Sequence, residues 1–432
     1  MNDLELIFNS LVNIIYKDKK SNEEINNLAK KATSLAYVTK VIYGVLENKI
    51  HLDYMIGKLS SIKIKKIHKN VLVILEIGLY NIHFLATKDY ATVDKLVDLT
   101  KKKNKRSFGF VNAILRNFIR NEQEIVKINI GDDIKSLSVR YSMPEEITRY
   151  IFENYGMDYT KKFLRYTNRK ARLSIRVNNT KISKEELVKN LEGLGFQIRD
   201  SKISKNALIV DNPQGLVETL YFKQGFFTIQ QEASMKTVEV LNPTRGSRIL
   251  DICAAPGTKT SYIAEYTENT GKILANDISS NKLSLIEENI NRLGLKNISI
   301  ENFDASELRE DLKGKFDYIL VDAPCSGLGV MARKPEIRYN RSLDDIKSLS
   351  ELQKKILSCA IVYLKQGGEL VYSTCTIGKI ENSDNLSYIS QREDMELVPI
   401  DGKDYIEFVS YEDETDGFFI SKFKKKYDET NN

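Results

Sequence analysis

From residue 245 onward the chain repeats one pattern: a short apolar run, a loop of small or acidic residues, and a helical stretch. "SRILDIC" (247–253), "KILAND" (272–277), "ISIENFD" (298–304), "FDYILVDAP" (316–324) and "GELVYSTC" (368–375) read as strands. Helical sequence lies between them, most plainly "IKSLSELQKKILSCAIVYLK" (346–365). Strands joined through helices pair in parallel, because a parallel crossover needs a connection as long as a helix. The expected fold is therefore α/β: a doubly wound, Rossmann-like sheet, largely parallel, with helices on both faces. Such sheets bind ligands beyond the carboxyl ends of their strands. That rule selects Asp251, Asp277, Asp304, Asp322, Cys325 and Cys375.

The rest of the chain is organised differently. Residues 1 to about 125 read as helices throughout, with apolar residues at helical spacing in "ATVDKLVDLT" (91–100) and "FVNAILRNFI" (110–119). Between those two stretches, "KKKNKRSFG" (101–109) places five cations in six residues, either as a solvated loop or as an RNA phosphate contact. A break at "NIGDDIKS" (129–136) precedes a small α/β module over 137–235. In this module "ARLSIRVN" (171–178) and "NALIVDN" (206–212) are strand-like, and Ser183 is placed to cap the helix "KEELVKNLEGLG". The expected domains are thus 1–130, 137–235 and 236–432.

Charge follows the same division. Residues 1–130 carry 22 Lys or Arg against 13 Asp or Glu, residues 131–240 carry 18 against 14, and the remainder 25 against 32. The basic front is where a polyanion would be gripped. A membrane is not expected, since the longest apolar stretch, "VLVILEIGLY" (71–80), is too short to span one and contains Glu76. The acidic start "MNDLELIFNS" lacks the basic and apolar segments of a secretion signal, so a cytoplasmic location is expected.

Four cysteines without Cys-x-x-Cys spacing make neither a disulfide framework nor a zinc site, and no metal is expected. All three histidines (His51, His68, His83) lie in the first fifth of the chain. His68 and His83 read as structural, with no acidic or thiol cluster near them in sequence. The C-terminal half therefore supplies no Ser-His-Asp triad and no Cys-His pair.

The loop in "LDICAAPGTKTSYIAE" (250–265) runs from strand to helix. It has neither Walker spacing nor Gly-x-Gly-x-x-Gly, which argues against a pyrophosphate-bearing cofactor and a nicotinamide dehydrogenase. Ala254, Ala255 and Gly257 still let a ligand approach the backbone. Asp277, at the end of the next strand, suits a ribose diol. A nucleoside without pyrophosphate points to S-adenosylmethionine, with an ordinary tight turn as the alternative.

The two thiols at strand ends fit one demanding reaction. Carbon 5 of cytosine is a poor nucleophile, and a thiolate added to carbon 6 turns the ring into an enamine that can attack a sulfonium methyl group. A free thiol is nucleophilic enough without a histidine base. Either Cys325 or Cys375 could make the attack, because a Pro-Cys thiol and a Thr-Cys thiol are both plausible nucleophiles. Cys253 and Cys359, on an apolar strand and an apolar helix face, read as buried.

"DICAAPGTKT", "VDAPCSGLGV" and "YSTCTIGKIEN", in that order, resemble the bacterial small-subunit (16S) ribosomal RNA cytosine-5 methyltransferases of the Sun or RsmB type. The resemblance covers the whole chain. "YGVLENKIHLDYMI", "ILEIGLYNIHFL" and "GFVNAILRNFIR" look like the NusB-like, RNA-binding helical domain of that family, and the middle, ending in "FTIQQEASM", is similar to its small RNA-recognition-like module.

The resemblance implies S-adenosylmethionine as cofactor, small-subunit ribosomal RNA as partner, and a monomer. It also implies Cys375 as nucleophile, Cys325 as the group assisting release, Asp322 on the cytosine edge, and Lys259 beside the reacting base. The cofactor would lie against Cys253, Ala254, Ala255, Pro256, Gly257, Thr258 and Lys259, with Asp277, Asp304 and Asp322. One departure is Gly257-Thr258-Lys259 where the family has Gly-Gly-Lys. Thr258 costs some backbone freedom but can cap the helix that follows, and slightly altered loop geometry rather than lost binding is expected.

Overall fold

In a computed structural model of the chain, residues 2–87, 90–127 and 131–427 are described. The break placed at 129–136 begins outside them. The chain divides into two compact units, one of Met1–Arg169 with Met331–Leu343, the other of Lys170–Val330 with Asp344–Asn432.

The first unit is helical: α1 (Asp3–Lys17), α2 (Ser21–Asn26), α3 (Leu35–Leu59), α4 (Lys69–Phe84), α5 (Tyr90–Lys103), α6 (Phe108–Ile125), α7 (Ile134–Tyr141) and α8 (Glu145–Thr167). The apolar run that is too short for a membrane becomes α4, whose residues from Val71 to Ile82 are all buried. A helix apolar on every side belongs at the centre of a bundle. Glu76 on that helix is fully buried and is paired with Lys49, 2.8 Å away. The cationic run is not the loop expected: Lys101–Lys103 form the last turn of α5, and Lys102 reaches Glu5 at 2.9 Å. Cations are favoured there by the negative end of the helix dipole. His83 does have an acidic neighbour, since its Nδ1 lies 3.0 Å from Glu122.

Residues 331–343 complete this unit from far along the chain. Arg338, fully buried, donates to the carbonyls of Thr167 (2.8 Å), Glu47 (3.1 Å) and Tyr141 (3.2 Å). Glu336 accepts from the N–H and hydroxyl of Ser21, and Tyr339 donates to the carbonyl of Leu46 at 2.7 Å.

The second unit holds two sheets. A small antiparallel sheet, in the order β2-β3-β1-β4, is made by β1 (Leu173–Val177), β2 (Ile198–Asp200), β3 (Ala207–Val210) and β4 (Phe227–Ile229), with α9 (Lys184–Gly193) and α10 (Leu220–Lys223). Ser183 caps α9 as expected, accepting from the Glu186 N–H.

After α11 (Glu232–Leu241) come β5 (Arg248–Asp251), α12 (Thr258–Tyr266), β6 (Lys272–Asn276), α13 (Ser280–Leu293), β7 (Ile298–Glu301), β8 (Phe316–Asp322), α14 (Leu343–Tyr363) and β9 (Leu364–Thr374). Then follow α15 (Ser383–Ser390), β10 (Met395–Val398), β11 (Ile406–Phe408), α16 (Ser410–Asp413) and β12 (Phe418–Lys425). The order is β10-β12-β9-β8-β5-β6-β7, with β11 also on β12. β7, β6, β5, β8 and β9 are parallel, while β12, β10 and β11 add an antiparallel edge that the sequence reading did not anticipate.

Both faces of the parallel part are covered. Leu250, Ile319, Val321, Leu370 and Tyr372 pack with Ile356, Leu357 and Ala360 of α14. The alternate residues Ile249, Leu320 and Val371 pack with Val238 of α11 and Ile263 of α12. This is the strand periodicity of two, buried on each side.

Candidate active site

The chain builds outward from β5 in one direction through β6 and β7, then returns to the other side of β5 with β8 and β9. The crevice where the order reverses lies between β5 and β8, and the loops after these strands meet there. Lys259, on the first turn of α12, donates to Asp322 Oδ2 at 2.6 Å, and Ser373 of β9 donates to Asp322 Oδ1 at 2.9 Å. Lys259 Nζ also lies 5.5 Å from the centre of the Phe418 ring.

The loop after β5 is held from below. Asp277 is buried, and its Oδ2 accepts from Ala255 N–H (3.1 Å) while Oδ1 accepts from Ser279 N–H (2.9 Å). Ala254 N–H donates to the Asn276 carbonyl at 2.7 Å. The Ala255–Pro256 peptide bond is cis. Gly257 has φ +91°, and a Cβ there would lie 3.1 Å from Ile286 Cα, so both conformation and space call for glycine. Gly257 occupies the N-cap of α12 and Thr258 is already helical, so Thr258 does not make the cap open to it. Cys253 follows β5, partly exposed, with burial of the thiol holding its pKa well above the ordinary value.

Asp304, three residues past the end of β7, accepts from the N–H and hydroxyl of Ser306, which lower its pKa. Beside Asp277, Ile278 projects an exposed apolar side chain. Behind the loop sits Asp251, fully buried: Oδ2 accepts from Thr260 at 2.6 Å, whereas Oδ1 has no partner. Burial pushes the Asp251 carboxyl up to about 7.

The thiols come together. Cys325 Sγ lies 3.4 Å from Cys375 Sγ, too far for a disulfide and close enough for an S–H donor to reach the other sulfur. The Cys375 sulfur beside it, with burial, holds Cys325 well above the ordinary thiol pKa. Either sulfur can be the donor in this contact. Cys359 is buried on α14.

Several contributors to this region carried no sequence signal. Arg176 of β1, fully buried, pairs with Glu265 of α12 and donates to the Thr258 carbonyl at 2.7 Å. Gln353, Glu381 and Asn385 form a buried polar network under the two cysteine loops. Arg176 and Gln353 lie in ordinary strand and helix sequence, whereas Glu381 falls inside the stretch "YSTCTIGKIEN".

The 16S rRNA methyltransferase RsmB/F family model matches residues 238–424, the NusB family model residues 1–120, and the RsmF/B-like ferredoxin-like domain model residues 143–216. The "Probable ribosomal RNA small subunit methyltransferase B" of Bacillus subtilis is 33% identical over 406 residues, covering 90% of each chain. Two crystal structures from Pyrococcus horikoshii are also similar. NSun6 with SFG has 29% identity and a TM-score of 0.60, covering 66% of this chain and 99% of that one. A methyltransferase homolog protein has 30% identity and a TM-score of 0.61, covering 68% and 98%.

Proposed function

Since the chain belongs to the RsmB/F family of 16S rRNA methyltransferases, and is thus a methyltransferase of ribosomal RNA, we propose that it methylates carbon 5 of a small-subunit rRNA cytosine through a transient bond from Cys375 to ring carbon 6. The observation that carries this reading is the 3.4 Å approach of two thiols at the ends of adjacent parallel strands.

The cofactor is S-adenosylmethionine, and the loop at 253–259 with Asp277, Asp304 and Asp322 fits it. Ile278 offers an apolar surface for a base, and the unpartnered Oδ1 of Asp251 suits an ammonium group. Bound there, S-adenosylmethionine supplies the methyl group. The reading needs no metal and a single copy of the chain; among the described residues no cluster of metal ligands occurs and no helix is long and apolar enough to cross a membrane. Its substrate makes the cytoplasm its workplace.

The chain's own residues divide the remaining work. In this reading Cys375 gives up its proton to solvent and Cys325 donates its S–H toward the resulting sulfur, the thiolate being the attacking form. Cys375 bonds to carbon 6, and the ring electrons displaced make carbon 5 nucleophilic. Asp322, oriented by Lys259 and Ser373, takes the hydrogen-bonding edge of the ring. Once carbon 5 is methylated, its proton goes to solvent, the double bond between carbons 5 and 6 re-forms, and the sulfur–carbon bond breaks. Cys325 steadies the departing sulfur by S–H donation. The basic NusB-like helices and the ferredoxin-like module hold the RNA, with the target base unstacked from its neighbours.

The test is to incubate rRNA, S-adenosylmethionine and the Cys325→Ala variant, then run a denaturing gel. A slow-moving protein–RNA adduct that disappears on further replacement of Cys375 is expected. Its absence, or full-speed methylation by Cys375→Ser, rules the reading out.

A further inference from the structure

Glu381 is fully buried, six residues beyond Cys375, in the loop that leaves β9. A buried carboxylate is costly unless its oxygens are bonded, and here the bonds lead to the other cysteine's loop. Oε1 accepts from the Ser326 N–H at 2.8 Å, and Oε2 accepts from the Ser326 hydroxyl. Ser326 directly follows Cys325. Gln353 of α14 also donates to Oε1, at 3.0 Å, and donates through the same amide to the Pro324 carbonyl at 2.9 Å, on the other side of Cys325. The residues flanking Cys325 are thus both fixed, one directly by Glu381 and one through Gln353.

The Cys375 side is fixed to the same group. Thr376 shares a 2.7 Å hydrogen bond with the Ser326 hydroxyl and accepts from Leu328 N–H at 3.2 Å. Asn382, next to Glu381, donates to the Thr376 carbonyl at 3.2 Å and accepts from the Thr374 hydroxyl at 2.6 Å. The Glu381 carbonyl accepts from Tyr372 of β9 at 2.6 Å. Apart from the exposed Pro324, the residues of this network are buried, which favours a single low-dielectric arrangement over many solvated ones.

We propose that Glu381 is the positioning residue of the thiol pair: its carboxylate clamps the Cys325 loop to the Cys375 loop and keeps the two sulfurs within proton-sharing distance. It touches neither base nor cofactor and acts through Ser326 and Thr376. The negative charge of Glu381 also helps hold the proton on Cys325. The proposal rests on the covalent reading for its catalytic meaning, but the geometry it describes can be tested without RNA.

The first measurement therefore uses full-length protein alone. A diazene oxidant such as diamide removes one hydrogen from each of two neighbouring thiols, is itself reduced to the hydrazine, and leaves a disulfide; peptide mapping by mass spectrometry then reports the Cys325–Cys375 bridge. Glu381→Ala should form that bridge severalfold more slowly than the parent protein. Glu381→Gln, whose amide oxygen can still accept from Ser326 N–H, should stay close to the parent.

In methylation assays Glu381→Ala should lower kcat by about 100-fold, as a displacement of about 1 Å in a reacting group can, with the KM for RNA and the affinity for S-adenosylhomocysteine unchanged. Equal bridging and equal kcat in Glu381→Ala overturn the proposal, as does a loss of cofactor affinity matching the loss of kcat, which would mark a general structural role. Should the alanine variant fail to fold, Glu381→Gln carries the test: losing the charge beside Cys325 should shift the alkaline limb of kcat to lower pH, and an unmoved limb overturns the proposal. Failure of the covalent reading would appear separately, as methylation indifferent to Cys375→Ser.

Discussion

Arg176 and Glu265 meet through two hydrogen bonds, at 2.9 and 2.8 Å, where both side chains are almost wholly withdrawn from solvent. The arginine comes from the small antiparallel sheet and the glutamate from the helix that follows the cofactor loop. Breaking such a pair strands a charge in the interior, which costs about 3–5 kcal/mol. Arg176→Met should accordingly lower unfolding stability by that order in urea melts. Because Arg176 also holds the Thr258 carbonyl, S-adenosylhomocysteine affinity should fall with it. Arg176→Lys should recover little, since lysine cannot reproduce a two-bond fork. A lysine variant with parent stability would refute this account.

Asp251 predicts a pH dependence. Its folded-state pKa is raised to about 7 from 3.8, so the native chain keeps a proton that the unfolded chain releases in acid. The sign follows: between pH 3.8 and about 7 the native state binds more protons, and this group makes the apoprotein less stable as pH rises. An ammonium beside Oδ1 favours the ionised form. Calorimetric affinity for S-adenosylhomocysteine should therefore tighten by roughly tenfold from pH 6 to 8, equivalent to one pKa unit. Asp251→Asn should bind weakly with a flat profile; an unchanged slope in that variant contradicts the assignment.

Thr258 marks the departure from the Gly-Gly-Lys pattern. Its side chain caps nothing, and the bond that matters is made by its carbonyl. Thr258→Gly should cost less than about 1 kcal/mol, the helix-propensity difference, and leave cofactor affinity and kcat where they were. A large gain or loss in either would mean that the hydroxyl has a role in the bound state.

Arg338 supplies donors for three carbonyls of the helical unit, that of Thr167 in a buried hydrogen bond and those of Glu47 and Tyr141 in part-buried ones. An acceptor left bare in the interior costs about 1–3 kcal/mol. Arg338→Met should therefore raise amide hydrogen exchange around the ends of α7 and α8 and near Glu47, and destabilise the unit by about 1–3 kcal/mol, chiefly through the Thr167 carbonyl. Exchange rates equal to those of the parent would show that water replaces the guanidinium without cost.

The parallel strands were readable because each is a compact apolar run ended by a turn and followed by a helix. Their carboxyl ends could then be read off residue by residue, and Lys259, Asp322, Cys325 and Cys375 do share one end of the sheet. β12 escaped notice because "FFISKFKK" mixes apolar and cationic residues, and its pairing with β9 is settled by contacts about fifty residues away in sequence. The polar framework was invisible for a related reason. Arg176 and Glu265 are 89 residues apart and Ser326 and Glu381 are 55 apart, so neither pair has a local spacing to detect. Thr258 does not act as the cap because Gly257, at positive φ, already turns the chain into the helix.

The helical unit takes its last piece, residues 331–343, from beyond the fourth parallel strand. During translation, domains generally condense from the N-terminus as they emerge, but here the middle of α3 and the ends of α7 and α8 wait for Arg338 to leave the ribosome. Nascent chains arrested before that point should be cut readily by protease within the helices, and those arrested well beyond it should resist. An enzyme that modifies ribosomes would thus have the maturation of its own amino-terminal half governed by how far a ribosome has travelled along its message.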